Sequence, residues 1–291
     1  MAATPTCVLD ARASLGECPV WSVDEQVLYW VDINEPALHR FDPRTRLDTA
    51  MAMPSSIGSF ALRASGGFVV ALRDGIHEAD ARGTLGRRLA AAPYDTTSHR
   101  FNDGRCDRQG RFLVGTMNEP RDASTGALYR LGAEGRLDVL VPDVMISNGL
   151  AFSPDGRTMY HADTADRSVQ RYDYDTATGA LSQRRDFARW TGPTDRPDGA
   201  AVDSAGNYWV AFYRGGKVMQ LAPDGRTIAE HPVPAMCPTM CAFGGPDLRT
   251  LYITSARQQR DADELARLPL SGGIFALQVD VPGLPEPRFA A

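Results

Sequence analysis

The stretch "ISNGLAFSPDGRTMYHADT", residues 146–164, decides the fold. Ser153-Pro154-Asp155-Gly156 is turn chemistry: Pro presets φ, and Gly accepts a positive φ. "RTMYHADT" after it predicts a short strand with a β-rich middle. The head of the stretch is less ordinary, because Asn148 and Gly149 are both poor strand residues and yet introduce the apolar run "LAF". One copy leaves this unexplained, but the chain repeats the unit.

An apolar anchor, a turn rich in Asp, Gly, Ser or Pro, and an aromatic or β-branched strand recur six times. The anchors are Trp21, Leu62, Cys106, Phe152, Val202 and Phe243, spaced 41, 44, 46, 50 and 41 residues apart. A third strand follows each unit: "ALHRFD", "GIHEAD", "GALYRL", "SVQRYDYD", "KVMQLA" and "GIFALQVD". Repeats of about 40–50 residues with three or four strands each are the signature of a β-propeller. The sequence therefore predicts an all-β fold, a six-bladed propeller forming a single domain over residues 1–291. The last unit runs out of chain before a fourth strand, and "TCVLDAR" from Thr6 is a spare strand ahead of the first unit. Pairing the two closes the ring and removes an open sheet edge. No strand is predicted after "DVPG", so removing residues 284–291 is expected to be mild.

Composition narrows the function classes. The chain carries 31 basic and 36 acidic residues with no basic run or basic–aromatic stripe, which argues against nucleic-acid and anionic-membrane partners. Its 27 Gly and 20 Pro, with short hydrophobic runs, fit many short strands joined by tight turns. "MAATPTCVLD" lacks the features of a signal peptide, and no segment approaches a transmembrane span of about 20 apolar residues. A soluble cytoplasmic protein is expected, and a monomer, since propellers close on themselves. Five cysteines (Cys7, Cys18, Cys106, Cys237, Cys241) show no framework spacing and fit reduced thiols. Cys237 and Cys241 form a C-x3-C pair, but no second half of a zinc site accompanies it, and buried thiols are the expectation.

Aligning the six units exposes a column four residues before each anchor: Glu17, Gly58, Asn102, Asn148, Asp198 and Thr239. The strand entering each propeller unit is innermost, so these positions converge on the channel mouth from different blades. Taken singly, Asn-Gly and Asp-Gly are turn dipeptides. That reading leaves Glu17 unexplained, because it precedes "CPVW" and not a glycine. Two carboxylates and two amides, with no sulfur among them, suit a hard divalent cation such as Ca²⁺, Mg²⁺ or Mn²⁺. Without one, two carboxylates would face each other in a partly desolvated funnel.

"SLGECPVW" (14–21), "RFNDGRCDRQGRFLVGTM" (100–117), "ISNGLAFSPDGRTMY" (146–160) and "RPDGAAVDSAGNYWVA" (196–211) closely resemble the signature segments of the regucalcin/gluconolactonase (senescence marker protein) family of sugar lactonases. The resemblance spans nearly the whole chain, with the four segments in order. It implies metal-dependent hydrolysis of an aldonolactone to the aldonic acid, by a bacterial sugar lactonase whose partner is a small-molecule sugar lactone. It also implies one divalent ion in the channel, held by Glu17, Asn148 and Asp198. Calcium stands first, with zinc, manganese, magnesium and ferrous iron as alternatives. By the same resemblance Arg100, Asn102 and Glu119 contact the substrate, and Asp198 doubles as the catalytic base.

Three other readings compete. A serine hydrolase would need a G-x-S-x-G elbow, which is absent, and His39, His77, His99, His161 and His231 sit on unrelated segments. His161 is expected to be packed, and His99 to be a loop residue or a substrate contact. A phosphotriesterase-type hydrolase would use a similar metal channel, and a non-enzymatic binding propeller would hold a purely structural ion. Arg100 with Asn102 at the mouth argues against the last.

Overall fold

The computed structural model describes residues 4–290, which form six four-stranded antiparallel sheets. Five sheets take their strands in chain order, innermost first, over residues 16–52, 57–91, 99–144, 147–189 and 197–232. The sixth is composite: Pro238–Gly244, Thr250–Ser255 and Ile274–Gln278 are completed at the outer edge by Thr6–Leu9. Thr6 pairs with Ala276 and Cys7 with Phe275, so the N-terminal strand closes the last blade as its sequence predicts. Inner strands of neighbouring blades touch all round the ring, and that of the sixth touches that of the first. This is the six-bladed propeller read from the repeats.

Burial follows the layer order. The inner strands Gly16–Ser22, Ile57–Leu62 and Pro238–Gly244 are buried along their whole length, whereas the outer strands Leu47–Ala52 and Thr227–Pro232 are mostly exposed. Aromatic rings fill the seams between blades. Trp21 stacks on Tyr252 at 5.5 Å between the first and sixth, Tyr160 meets Tyr208 at 5.1 Å between the fourth and fifth, and Trp209 meets Phe243 at 6.1 Å between the fifth and sixth. Trp30 belongs to the same cluster as Trp21 and Tyr252, and its indole also stacks on His39 of its own blade.

The C-terminal segment forms no regular strand, but it is not loose. The Ser204 N–H donates to the Pro282 carbonyl and the Gly283 N–H to Leu248. Phe289 makes reciprocal backbone bonds to Leu62 and Ala64, and its ring is buried between the second and third blades. Glu286 pairs with Arg105 at 3.3 Å. The tail thus straps the end of the channel opposite the column, and the expectation that its removal is mild gives way. Among the described residues, no helix is long and apolar enough to cross a membrane.

Candidate functional site

Every inner strand breaks register at or beside its column residue. The breaks fall between Glu17 and Val20, Ile57 and Ser59, Phe101 and Gly104, Asn148 and Ala151, Pro197 and Ala200, and Pro238 and Cys241. A bulge puts an extra residue on one strand, bends it and re-aims the side chain. This is why poor strand residues such as Gly58, Asn148 and Asp198 are tolerated at the heads of inner strands. Gly149 supplies φ +60° in its bulge, and a Cβ there would lie 2.5 Å from the Tyr208 hydroxyl. Cys18, one place after Glu17, adopts φ +45° without being glycine. The backbone shape therefore recurs where the turn dipeptide does not, with strain of the kind that collects at functional sites.

Four column members meet. Glu17, Asn102, Asn148 and Asp198 line one small cavity of about 50 Å³, together with Arg100. The other two close the ring around them: a Cβ on Gly58 would strike the Phe101 carbonyl, and the Thr239 hydroxyl bonds the Gly16 carbonyl. Larger hollows exist, such as one of about 400 Å³ between the third and fourth blades, but the convergence of donors marks the smaller one.

Hydrogen bonds orient the amides. The Thr164 hydroxyl donates to the Pro197 carbonyl at 2.7 Å, so it must accept from Asn148 Nδ2, at 2.8 Å. That turns Asn148 Oδ1 away from Thr164 and towards Asn102, whose Nδ2 donates to it at 2.8 Å and to the Ser147 carbonyl at 2.9 Å. Asn102 Oδ1 in turn accepts from Arg100 Nη1 at 2.6 Å. Arg100, Asn102 and Asn148 form one relay across two blades.

The carboxylates are held against their own chemistry. Among the described residues Glu17 accepts one hydrogen bond, from the Cys18 N–H at 3.2 Å, and no side-chain donor bonds Asp198. Burial, with Asp103 close by, pushes Glu17 up to about 8; burial and the Glu17 charge push Asp198 well above the carboxylate range. Arg100 offsets only part of this, and burial works against its own charge. Two buried carboxylates and a fixed amide oxygen, short of donors, fit a hard divalent cation, which would stabilise the charged forms that the protein alone disfavours. Among the described residues no three His, Cys, Asp or Glu side chains group as a metal site.

A pH dependence follows. With Glu17 raised to about 8, the folded metal-free protein binds more protons than the unfolded chain, so stability falls as pH rises through that window. His161, lowered by burial to about 4, acts in the opposite sense but only below its ordinary value of 6.5. Between pH 6.5 and 8 the Tm in chelator is therefore expected to decline, and a saturating divalent cation to flatten the decline. Equal slopes with and without cation would show that these carboxylates do not face it.

The remaining sequence-derived candidates fall elsewhere. Glu119 does not line the cavity; Arg73 of the second blade grips both its oxygens, at 2.8 and 3.0 Å, and Arg100 Nε lies 3.7 Å away. In this arrangement Glu119 braces Arg100. His99 is neither a loop residue nor part of the cavity wall: it opens the inner strand His99–Cys106 opposite Asn118, and its ring bonds Ser98 and Thr125 at 2.8 Å each. His161 is packed, with Nε2 2.8 Å from the Ser147 hydroxyl. Cys237 and Cys241 are buried free thiols. Thr164, Arg121, Arg196, Tyr213 and Gln258 also line the cavity and were not singled out from the sequence. Arg196 lies two residues before Asp198, inside a motif already noted; the others come from loops with no repeat position to mark them.

Residues 15–257 match the SMP-30/Gluconolactonase/LRE-like region family. The chain is 54% identical over 289 residues to a 6-deoxy-6-sulfogluconolactonase of Pseudomonas putida, with 99% of each chain covered. It is 37% identical to the pentonolactonase XacC of Haloferax volcanii, with 98% of each covered. Its fold is similar to that of regucalcin from Agrobacterium tumefaciens, described as a calcium-binding protein, with TM-score 0.94 and 31% identity over 100% of this chain and 98% of that one.

Proposed function

Because the chain belongs to the SMP-30/gluconolactonase/LRE-like family, we propose that it is a metal-dependent sugar lactonase that hydrolyses an aldonolactone to the aldonic acid. The observation that carries this reading is the convergence of Glu17, Asn148 and Asp198, short of donors, beside the guanidinium of Arg100. Glu17, Asn148 and Asp198 would hold the ion, their all-oxygen set favours calcium, and the Agrobacterium protein is described as binding it. When bound, a divalent cation supplies Lewis-acid polarisation of the lactone carbonyl oxygen.

The chain's own groups do the rest. Water adds to C1, the C1–ring-oxygen bond breaks, and a proton passes to the ring oxygen as the hydroxy acid forms. Asp198 takes the proton of the attacking water as the general base. Arg100, held by Glu119 and by the Asn102 carbonyl, presents a fixed donor to the sugar hydroxyls. Asn102 positions Asn148 Oδ1 and borders the same space.

Initial rates over a panel of pentono- and hexonolactones, in chelator and in calcium, manganese or zinc, test the reading. Cation-restored ring opening is expected; full activity in chelator would refute it. Arg100→Ala should lower kcat/KM by more than roughly tenfold while the Tm still rises on adding cation. Asn102→Ala should weaken both turnover and the cation response, because it frees Asn148 Oδ1. Loss of folding in both variants would instead make them scaffold.

A further inference from the structure

Two guanidiniums in the cavity wall have no use in that reaction. Arg121, on the loop after Phe112–Asn118, and Arg196, on the loop before Pro197–Val202, line the same cavity as Glu17 and Asp198. Neither side chain has a hydrogen bond or ion pair to any described residue, whereas the half-buried Arg63, Arg73, Arg130 and Arg260 each hold a carboxylate. The acids nearest in sequence are turned elsewhere: Asp195 accepts the Gly192 N–H at 3.2 Å, and Asp122 accepts Asn118 Nδ2 at 3.0 Å.

The backbone holds both arginines in place. Arg121 adopts φ +59°, and its N–H is anchored on Asn118 Oδ1 at 3.0 Å. The Arg196 N–H donates to Thr194 and its carbonyl accepts from Tyr213, each at 3.0 Å. The charged groups facing Arg196 include Arg214, Arg167 and Arg121. Arg167 and Arg214 also lack carboxylate partners among the described residues. Like charges gathered with no carboxylate bonded to them destabilise the ligand-free wall, and a bound anion relieves that.

We propose that Arg121 and Arg196 form an oxyanion subsite, and that the preferred lactone carries a sulfonate or phosphate on the carbon farthest from its carbonyl. This rests on the lactonase reading, which sets the carbonyl end at the column residues and leaves the far end against the loops. Guanidinium forks match tetrahedral oxyanions by bidentate bonding, which a neutral hydroxyl cannot reproduce. The P. putida relative has a sulfo group in its name, and these two arginines would give that chemistry a place on this chain.

The test compares hexonolactones bearing hydroxyl, phosphate or sulfonate at C6, using the cation-loaded protein and its Arg121→Gln and Arg196→Gln variants. The wild type is expected to favour at least one charged lactone over the neutral one by roughly tenfold or more in kcat/KM, and each variant to cut that ratio severalfold. Whichever charged lactone is favoured identifies the anion. Titration with 6-phosphogluconate against gluconate gives a readout without turnover, with tighter binding of the former expected in the wild type only. Equal kcat/KM for neutral and charged lactones overturns the subsite and leaves the lactonase reading standing. A ratio that survives both substitutions also overturns it. No opening of any of the three overturns both.

Discussion

Asp198→Ala is expected to lower kcat/KM for the preferred lactone by about a thousandfold or more, on the order of 4 kcal/mol of transition-state stabilisation. The substitution removes one of two carboxylates that would neutralise the cation, and with it the proposed base. Stability separates this from simple damage. A cation at a hundred times its Kd stabilises a folded protein by about 2.7 kcal/mol, so the wild-type Tm should rise clearly on adding calcium and that of the variant hardly at all. In chelator the order should narrow or reverse. Without the cation, burial and the nearby Glu17 disfavour the ionised form of Asp198, and removing the group removes that cost. A variant that keeps near-normal rates, or the full Tm response to cation, would place the metal elsewhere.

Deleting residues 1–13 should be the most damaging truncation. It strips Thr6–Leu9 from Ile274–Gln278, exposes that strand as an open edge, and removes the Ala13 N–H bond to Gly272. It also cuts the chain four residues before Glu17. Solubility, Tm and activity should fall together, with Tm dropping by roughly ten degrees or more. Deleting residues 284–291 behaves differently. It removes the buried Phe289 ring, a loss of about 3–5 kcal/mol by analogy with large-to-small core changes, and leaves Arg105 without Glu286. It touches no column residue, so Tm should fall while activity at low temperature persists. An N-terminal truncation that stays soluble and active would show that the seam does not depend on this strand.

Much of this was legible along the chain. The six units, the three inner strands of each and the spare N-terminal strand follow from local pattern, because a blade is a contiguous run and its buried strands must be apolar. The fourth strands were harder to see. Leu181–Arg189 and Thr227–Pro232 face solvent, so burial imposes almost no pattern on them. The column of Glu17, Asn102, Asn148 and Asp198 was legible for a related reason: repeats align equivalent positions, and propeller geometry brings them to one axis.

What the tertiary structure alone decided lies between segments with no shared repeat position. Glu119 reads as a substrate contact, and the fold adds that Arg73, 46 residues earlier in the chain, holds both its oxygens. The C-terminal tail reads as dispensable until Phe289 is found between two blades far from it in sequence. Arg121 and Arg196 are unremarkable loop residues until they line one cavity with no carboxylate bonded to either among the described residues. The sequence alone determined the number of blades, the closing strand and the members of the column, since these are properties of order and period along the chain. Which side chains are free to act, and which are held by a partner, depends on approach in space between distant segments, and only the folded ring sets that.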